Sequence, residues 1–210
     1  MTSIQTAILT PDTDGLRIAA DVLRRGGLVA FPTETVYGLG ADARDDAAVA
    51  SIYAAKGRPS FNPLIVHVRD IDAVSHYCEM TKQAQKLASA FWPGPLTLVL
   101  PLKEDVGISK LVTAGLKTLA VRIPDHSVGQ GLLAAFEGPI AAPSANPSGR
   151  ISPTTAAHVV AGLSGKIDAI VDGGACGVGV ESTIVDCTQS VPTILRAGGI
   201  PAEALAACVG

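Results

Sequence analysis

Aromatic residues are scarce in this sequence, at 4% of the chain, and charge is thin at 17%. With so few large rings, small and branched apolar residues have to fill the core, and the 48% hydrophobic content is rich in Ala and Val. No run of basic residues is long enough to make a nucleic-acid stripe, and 16 Lys and Arg against 19 Asp and Glu leave a net charge of -3. Phosphate contacts dominate affinity for a nucleic-acid backbone, so tight RNA binding is not expected as the primary role. The four cysteines, Cys78, Cys176, Cys187 and Cys208, lie far apart without a C-x-x-C pair, and no histidine stands at ligand spacing beside them. Neither a disulfide framework nor a zinc or other metal site is expected, and reduced cytoplasmic thiols are.

Long apolar runs are missing as well. Leu96 to Leu102 falls far short of the roughly 20 residues that a bilayer demands, and Met1 to Gly15 carries Asp12 and Asp14 in place of a basic, then apolar, leader. The expectation is a protein with no secretory signal and no membrane segment, located in the cytoplasm. Walker A and the Rossmann glycine fingerprint are both absent, so a bound nucleotide would have to be held by neither loop.

A chain of 210 residues can bury most of what it exposes when unfolded and needs no staple. No linker, charge block or repeat divides it, and its 22 glycines and 14 prolines are spread among the connections. A single domain over residues 1–210 is expected. Asp14 is read as the cap of a helix running to about Arg25, stopped by Gly26-Gly27. Further helices are expected over Asp46 to Ala55, Lys82 to Ala90 and Ser127 to Phe136. Strands are expected at Leu28 to Phe31, Leu64 to Val68, Leu96 to Leu100, Thr118 to Ile123, Pro139 to Ala142, Ala169 to Val171, Ser182 to Val185 and Thr193 to Leu195. This alternation predicts an α/β fold, a twisted, mostly open mixed sheet flanked by helices on both faces.

The densest loops leave strand or helix ends, where α/β proteins place ligand sites. Pro32 to Gly40 presents Thr33, Glu34, Thr35 and Tyr37, although such residues also cap turns. Lys56-Gly57-Arg58-Pro59-Ser60-Phe61-Asn62-Pro63 sets two cations around a glycine. That suits a phosphate chain, since Lys supplies a point charge, Arg a planar fork, and the Asn62 amide a further donor. Alternatively the two cations complement the negative end of the preceding helix. His67 lies within an apolar strand, where a lone histidine is commonly a satisfied core residue. Arg122, also in an apolar strand, would be costly to bury without an anion, which Glu34, Glu181 or a substrate carboxylate could supply. Pro143 to Gly149 holds the Ser144 hydroxyl and Asn146 amide on a stiff loop. Gly173 to Thr183 is glycine-rich before a strand, and Arg196 adds one more phosphate-capable cation.

Taken in order, P-T-E-T-V-Y-G-L-G, K-G-R-P-S-F-N-P-L, F-W-P-G-P-L-T-L-V-L, V-R-I-P-D-H, A-P-S-A-N-P-S-G, G-V-G-V-E-S-T-I-V-D and L-R-A-G-G resemble the YrdC-like family of threonylcarbamoyladenylate synthases. The family pattern of Lys-x-Arg followed far downstream by Ser-x-Asn is met by Lys56/Arg58 and Ser144/Asn146. The resemblance implies a YrdC-like fold with a concave, positively lined cavity for ATP and L-threonine. It implies nucleotide contacts from Lys56, Arg58, Asn62, Thr118, Ser144, Asn146, Ser152 and Arg196, with Lys56 and Arg58 as the catalytic cations. It implies threonine contacts from Thr35, His67, Arg122 and Ser182, with Ala142 offering backbone only. The implied reaction joins L-threonine, bicarbonate or carbon dioxide and ATP, with Mg²⁺, into L-threonylcarbamoyl-AMP and pyrophosphate.

The resemblance further implies handover to a downstream tRNA threonylcarbamoyl transferase complex, with at most weak contact to tRNA by this chain. Some members carry an additional C-terminal domain; ending at Gly210, the sequence resembles the short single-domain form. No general base is assigned. Two rival readings are a double-stranded RNA or tRNA binder and a paralogue with altered carbamoyl-transfer activity.

Overall fold

A computed structural model describes residues 4–210 of the chain; residues 1–3 of the N-terminal stretch considered above lie outside the described residues. Ten strands join one mixed sheet: β1 (Ala7–Leu9), β2 (Val29–Phe31), β3 (Gly38–Asp42), β4 (Ile65–His67), β5 (Leu96–Pro101), β6 (Thr118–Arg122), β7 (Ile140–Ala141), β8 (Ala169–Val171), β9 (Thr183–Asp186) and β10 (Thr193–Arg196). Their order is β1-β8-β2-β3-β7-β4-β6-β5-β9-β10, so the sheet is open, with β1 and β10 at its edges. The pairs β1/β8, β2/β8, β4/β6 and β5/β9 are parallel and the others antiparallel. This is the mixed α/β sheet that the alternation of elements implied.

Both faces of the sheet are covered, and the strands show how. Val29 and Phe31 of β2 belong to one hydrophobic cluster while Ala30 between them belongs to the other. Ala169 and Val171 of β8 divide from Ile170 in the same way, as the period-two direction of strand side chains requires. One face is closed by α1 (Thr13–Arg24) and α6 (Ser127–Phe136), through Ala19, Ala20 and Leu23 against Leu132, Leu133 and Phe136. Gly131 permits this approach: a Cβ there would lie 2.7 Å from the Leu16 Cδ1. On the other face lie α2 (Asp46–Lys56), α4 (Lys82–Phe91) and α8 (Ala202–Val209), which bury Val49, Ile52, Leu87 and Leu205. Removing each such side chain from water contributes about 1.5–3 kcal/mol, so the aliphatic core suffices without many rings.

The cap of α1 is Asp12, two residues before the expected Asp14. Its carboxylate accepts from the Gly15 N–H at 2.9 Å, and Asp14 lies in the first turn, where a carboxylate still meets the positive end of the helix. Strand β3 falls where a loop was expected. Glycine-containing strands lack the β-branched signature, yet here the glycine is needed, since a Cβ on Gly40 would come within 2.8 Å of Ile140 Cγ2. Also beyond the sequence reading are edge strand β1 and the helices α3 (Ile71–Tyr77), α5 (Lys110–Thr113), α7 (Ala156–Leu163) and α8. Among the described residues no helix is long and apolar enough to cross a membrane.

Candidate functional site

Strands β4, β6 and β7 lie side by side at the middle of the sheet, with His67 paired to Arg122 on one side and to Ile140 on the other. Their C-terminal or loop-flanking ends form the floor of a cleft of about 150 Å³, to which His67, Arg122 and Ala142 contribute. The loops that leave neighbouring elements build the walls. Thr35 comes from the β2–β3 connection, Arg58 from the end of α2, Ser144 from the loop after β7, Glu181 and Ser182 from the approach to β9, and Arg196 from the end of β10.

Arg122 is 3% exposed and held on three sides. Its Nε donates to the Gly94 carbonyl at 3.1 Å and its Nη1 to Thr35 Oγ1 at 2.9 Å. Its Nη2 lies 2.6 Å from Glu34 Oε1, an ion pair in which the atoms are not aligned for a hydrogen bond. The carboxylate that answers this buried cation is therefore Glu34, one of the three anions open in the sequence. Burial pulls the Arg122 pKa down from its ordinary value, opposed by the Glu34 charge. Beside it, burial and the Arg122 charge push the His67 pKa down to about 3, so the imidazole is neutral; its Nδ1 has no hydrogen-bond partner, and its ring meets Phe31 edge-on at 6.0 Å.

The opposite wall is organised by Arg196. Its Nε and Nη2 donate to the Ser182 carbonyl at 3.1 and 2.8 Å, Nη2 reaches Ser182 Oγ at 3.0 Å, and Nη1 pairs with Glu181 Oε2 at 2.7 Å. Ser182 Oγ also shares a hydrogen bond of 2.7 Å with the buried Thr97 hydroxyl. Burial lowers the Arg196 pKa from its ordinary value, with Glu181 opposing the shift. Arg58 is the least committed of the three guanidinium groups at the cleft. It reaches only the Pro63 carbonyl, at 3.3 Å, and its Nε is buried without a partner.

Lys56 is placed differently from a phosphate-facing cation. The residue is 4% exposed, and its Nζ donates to the carbonyls of Ser144 and Asn146, while its own carbonyl accepts from the Ser148 N–H at 2.7 Å. Burial, with Arg58 nearby, lowers its pKa to about 8. The last residue of α2 thus grips the loop after β7 by its backbone and presents Ser144 to the cleft. Gly57, at φ 60°, turns the chain sharply enough for Arg58 to face the cleft directly after Lys56 has pointed inward.

Of the residues singled out in the sequence, Thr35, Arg58, His67, Arg122, Ala142, Ser144, Ser182 and Arg196 line one cleft. Asn146 lies behind it, its Nδ2 donating to the Pro147 and Arg150 carbonyls at 2.9 and 2.8 Å. Ser152 touches the wall indirectly, donating to Glu181 Oε1 at 2.9 Å. Asn62 is outside the lining, its carbonyl accepting from the Tyr53 hydroxyl at 3.1 Å. Thr118 starts the strand that Arg122 ends, about 13 Å away at strand rise, and does not join the cleft. Glu181 was weighed in the sequence only as a partner for Arg122; its junction with Arg196 and Ser152 is a contact between distant segments that no local pattern announces. Thr97, beneath Ser182, was missed for the same reason.

Among the described residues no group of three or more His, Cys, Asp or Glu side chains is placed to hold a metal ion, and Glu34 and Glu181 are each paired with an arginine. The donor set does not fit a resident Mg²⁺.

The family model for Sua5/YciO/YrdC, described as "Telomere recombination", matches residues 21–198. The chain is 53% identical over 193 residues to a Bacillus subtilis threonylcarbamoyl-AMP synthase, covering 91% of this chain and 56% of that protein. It is 52% identical over 196 residues to a Pyrococcus abyssi threonylcarbamoyl-AMP synthase, covering 93% of this chain and 57% of that protein. The chain thus spans little more than half the length of these relatives. A crystal structure of P. abyssi Sua5 complexed with L-threonine superposes with a TM-score of 0.94 at 48% identity, covering 98% of this chain and 61% of that one. With the matched span running from within α1 to just past β10, the chain belongs to the Sua5/YciO/YrdC family.

Proposed function

We propose that this chain is an L-threonylcarbamoyladenylate synthase, which condenses L-threonine, bicarbonate or carbon dioxide, and ATP into L-threonylcarbamoyl-AMP and pyrophosphate. The observation that carries the reading is the convergence of Arg58, Arg122 and Arg196 with the Thr35 and Ser182 hydroxyls on one small cleft. The reaction brings two anions together, a carbamate and the α-phosphate of ATP, and fixed cations at such a junction favour the transition state by charge and position. In this reading Arg122 takes the amino-acid carboxylate, and Thr35, Ser182, the neutral His67 and the Ala142 backbone shape the threonine pocket. Arg58 and Arg196 spread the phosphate charge, and Ser144 approaches the nucleotide.

Lys56 and Asn146 serve the nucleotide side by holding the Ser144 loop, and Ser152 by orienting Glu181. Asn62 and Thr118 are assigned to the nucleotide by family likeness alone. Mg²⁺, where used, arrives on the phosphates of ATP as part of the substrate. The product is passed to a tRNA threonylcarbamoyl transferase complex in the cytoplasm, with the chain acting as one domain. The experiment is pyrophosphate release with ATP and each amino acid, with and without bicarbonate. Release that requires L-threonine and bicarbonate together, with serine turned over less well by about 10-fold or more for its missing methyl, supports the reading. Equal turnover of threonine and serine sinks it.

A further inference from the structure

Three guanidinium groups line the cleft, and among the described residues Glu181 is the one carboxylate in that lining. Glu34, the other acid of this region, is turned behind Arg122 and is not part of the cleft wall. Glu181 is held in a defined place. Its Oε2 pairs with Arg196 Nη1 at 2.7 Å while Arg196 Nη2 reaches Ser182 Oγ at 3.0 Å, so one guanidinium fixes this carboxylate beside that hydroxyl. Its Oε1 accepts from Ser152 Oγ at 2.9 Å. An ionised carboxylate has about four acceptor positions, of which these contacts use two, and the side chain keeps 37% of its exposure.

A carboxylate in a cleft otherwise built for anions needs a cation to answer it when the cleft is full. An amino acid enters as a zwitterion: its carboxylate finds arginines, while its ammonium group, with three donors and no acceptor, finds neutral acceptors and, among the described residues of the lining, one anion, Glu181. We propose that Glu181 receives the ammonium group of the amino-acid substrate. It thereby sets the amine beside Ser182 and on the Arg196 side of the cleft, with the carboxylate directed toward Arg122. This inference rests on the synthase reading and deepens it. It places the nitrogen that becomes the carbamate nitrogen next to the arginine assigned to the phosphates. It also makes Glu181 the residue that distinguishes an amino acid from the corresponding deaminated acid.

The test is a binding cycle on the full chain, with Glu181→Gln, which preserves side-chain size and an oxygen for Ser152. L-threonine, 3-hydroxybutyrate, which lacks only the amine, and a non-hydrolysable ATP analogue are each titrated calorimetrically into both proteins. The expected result is about 10-fold or greater loss of L-threonine affinity in the variant, with 3-hydroxybutyrate bound equally by both proteins and the ATP analogue at least as well by the variant. A role confined to propping Arg196 would weaken L-threonine and 3-hydroxybutyrate alike, and that result overturns the inference, as does unchanged L-threonine affinity. Pyrophosphate release by the wild-type chain separates the two levels. If the wild type turns over L-threonine but the variant binds it normally, the Glu181 assignment alone fails; if the wild type neither binds nor turns over L-threonine, the synthase reading and this inference fall together.

Discussion

Neutralising Glu34 should make the protein less stable and its amino-acid site more attractive. The Arg122 and Glu34 side chains are 4% and 13% exposed, and their ion pair at 2.6 Å is the main charge compensation for a guanidinium buried in a strand. Removing one member of a buried pair leaves the other uncompensated and typically costs about 3–5 kcal/mol. Glu34→Gln keeps the shape and part of the contact, so the lower end, about 3 kcal/mol, is expected. For a chain of 210 residues that lowers Tm by roughly 6–12 °C. Arg122 then carries a charge that no protein anion answers, and a ligand carboxylate approaching from the cleft supplies the missing counter-charge. Saturating L-threonine should therefore raise Tm more in Glu34→Gln than in the wild type, narrowing the gap between them, because a ligand stabilises in proportion to its affinity for the folded state. Thermal melts of both proteins across an L-threonine series give the answer. An unchanged Tm would show that Glu34 is not the counter-ion, and a gap that widens with threonine would show that Arg122 does not take the carboxylate.

Arg58→Ala should weaken binding of an ATP analogue by roughly 10- to 150-fold, the equivalent of about 1.5–3 kcal/mol for a charge-assisted hydrogen bond, as read by calorimetry. Its melt should stay near that of the wild type, since the protein itself uses only one long contact, to Pro63 at 3.3 Å; normal nucleotide affinity in a destabilised variant would make this arginine structural. His67 gives the fold an acid-sensitive point. Its pKa is about 3 in the folded chain against 6.5 when unperturbed, so between those values the unfolded chain binds a proton that the folded chain refuses. Stability should thus fall with pH through that window by up to about 1.4 kcal/mol per unit, and urea midpoints at neutral and acid pH should show a shallower decline in His67→Leu. Parallel declines would place the acid sensitivity elsewhere.

What could be read in advance follows from which interactions are local. Helices α2 and α6 and strands β5, β6 and β8 have boundaries close to those expected, since their apolar periods and flanking turn residues lie within each segment. Strand β3 escaped because its Gly40 answers to Ile140, a hundred residues away in the chain. The same division holds at the cleft. The motifs singled out Arg58, Ser144 and Arg196 as candidates, and the cleft lining contains all three. That Lys56 spends its charge on the Ser144 and Asn146 carbonyls, and that Glu34 rather than Glu181 answers Arg122, depends on which segments the sheet order brings together. A lysine next to an arginine reads as a second phosphate ligand until burial directs it inward.

The most direct test of the synthase assignment follows the carbon. The chain is incubated with ATP, L-threonine and carbon-13 bicarbonate, and the nucleotide products are separated and weighed by mass spectrometry. The account predicts an adenylate with the mass of threonylcarbamoyl-AMP that carries the label, formed in step with pyrophosphate and absent when either threonine or bicarbonate is left out. An adenylate without the label, or pyrophosphate released at the same rate without threonine, would contradict it.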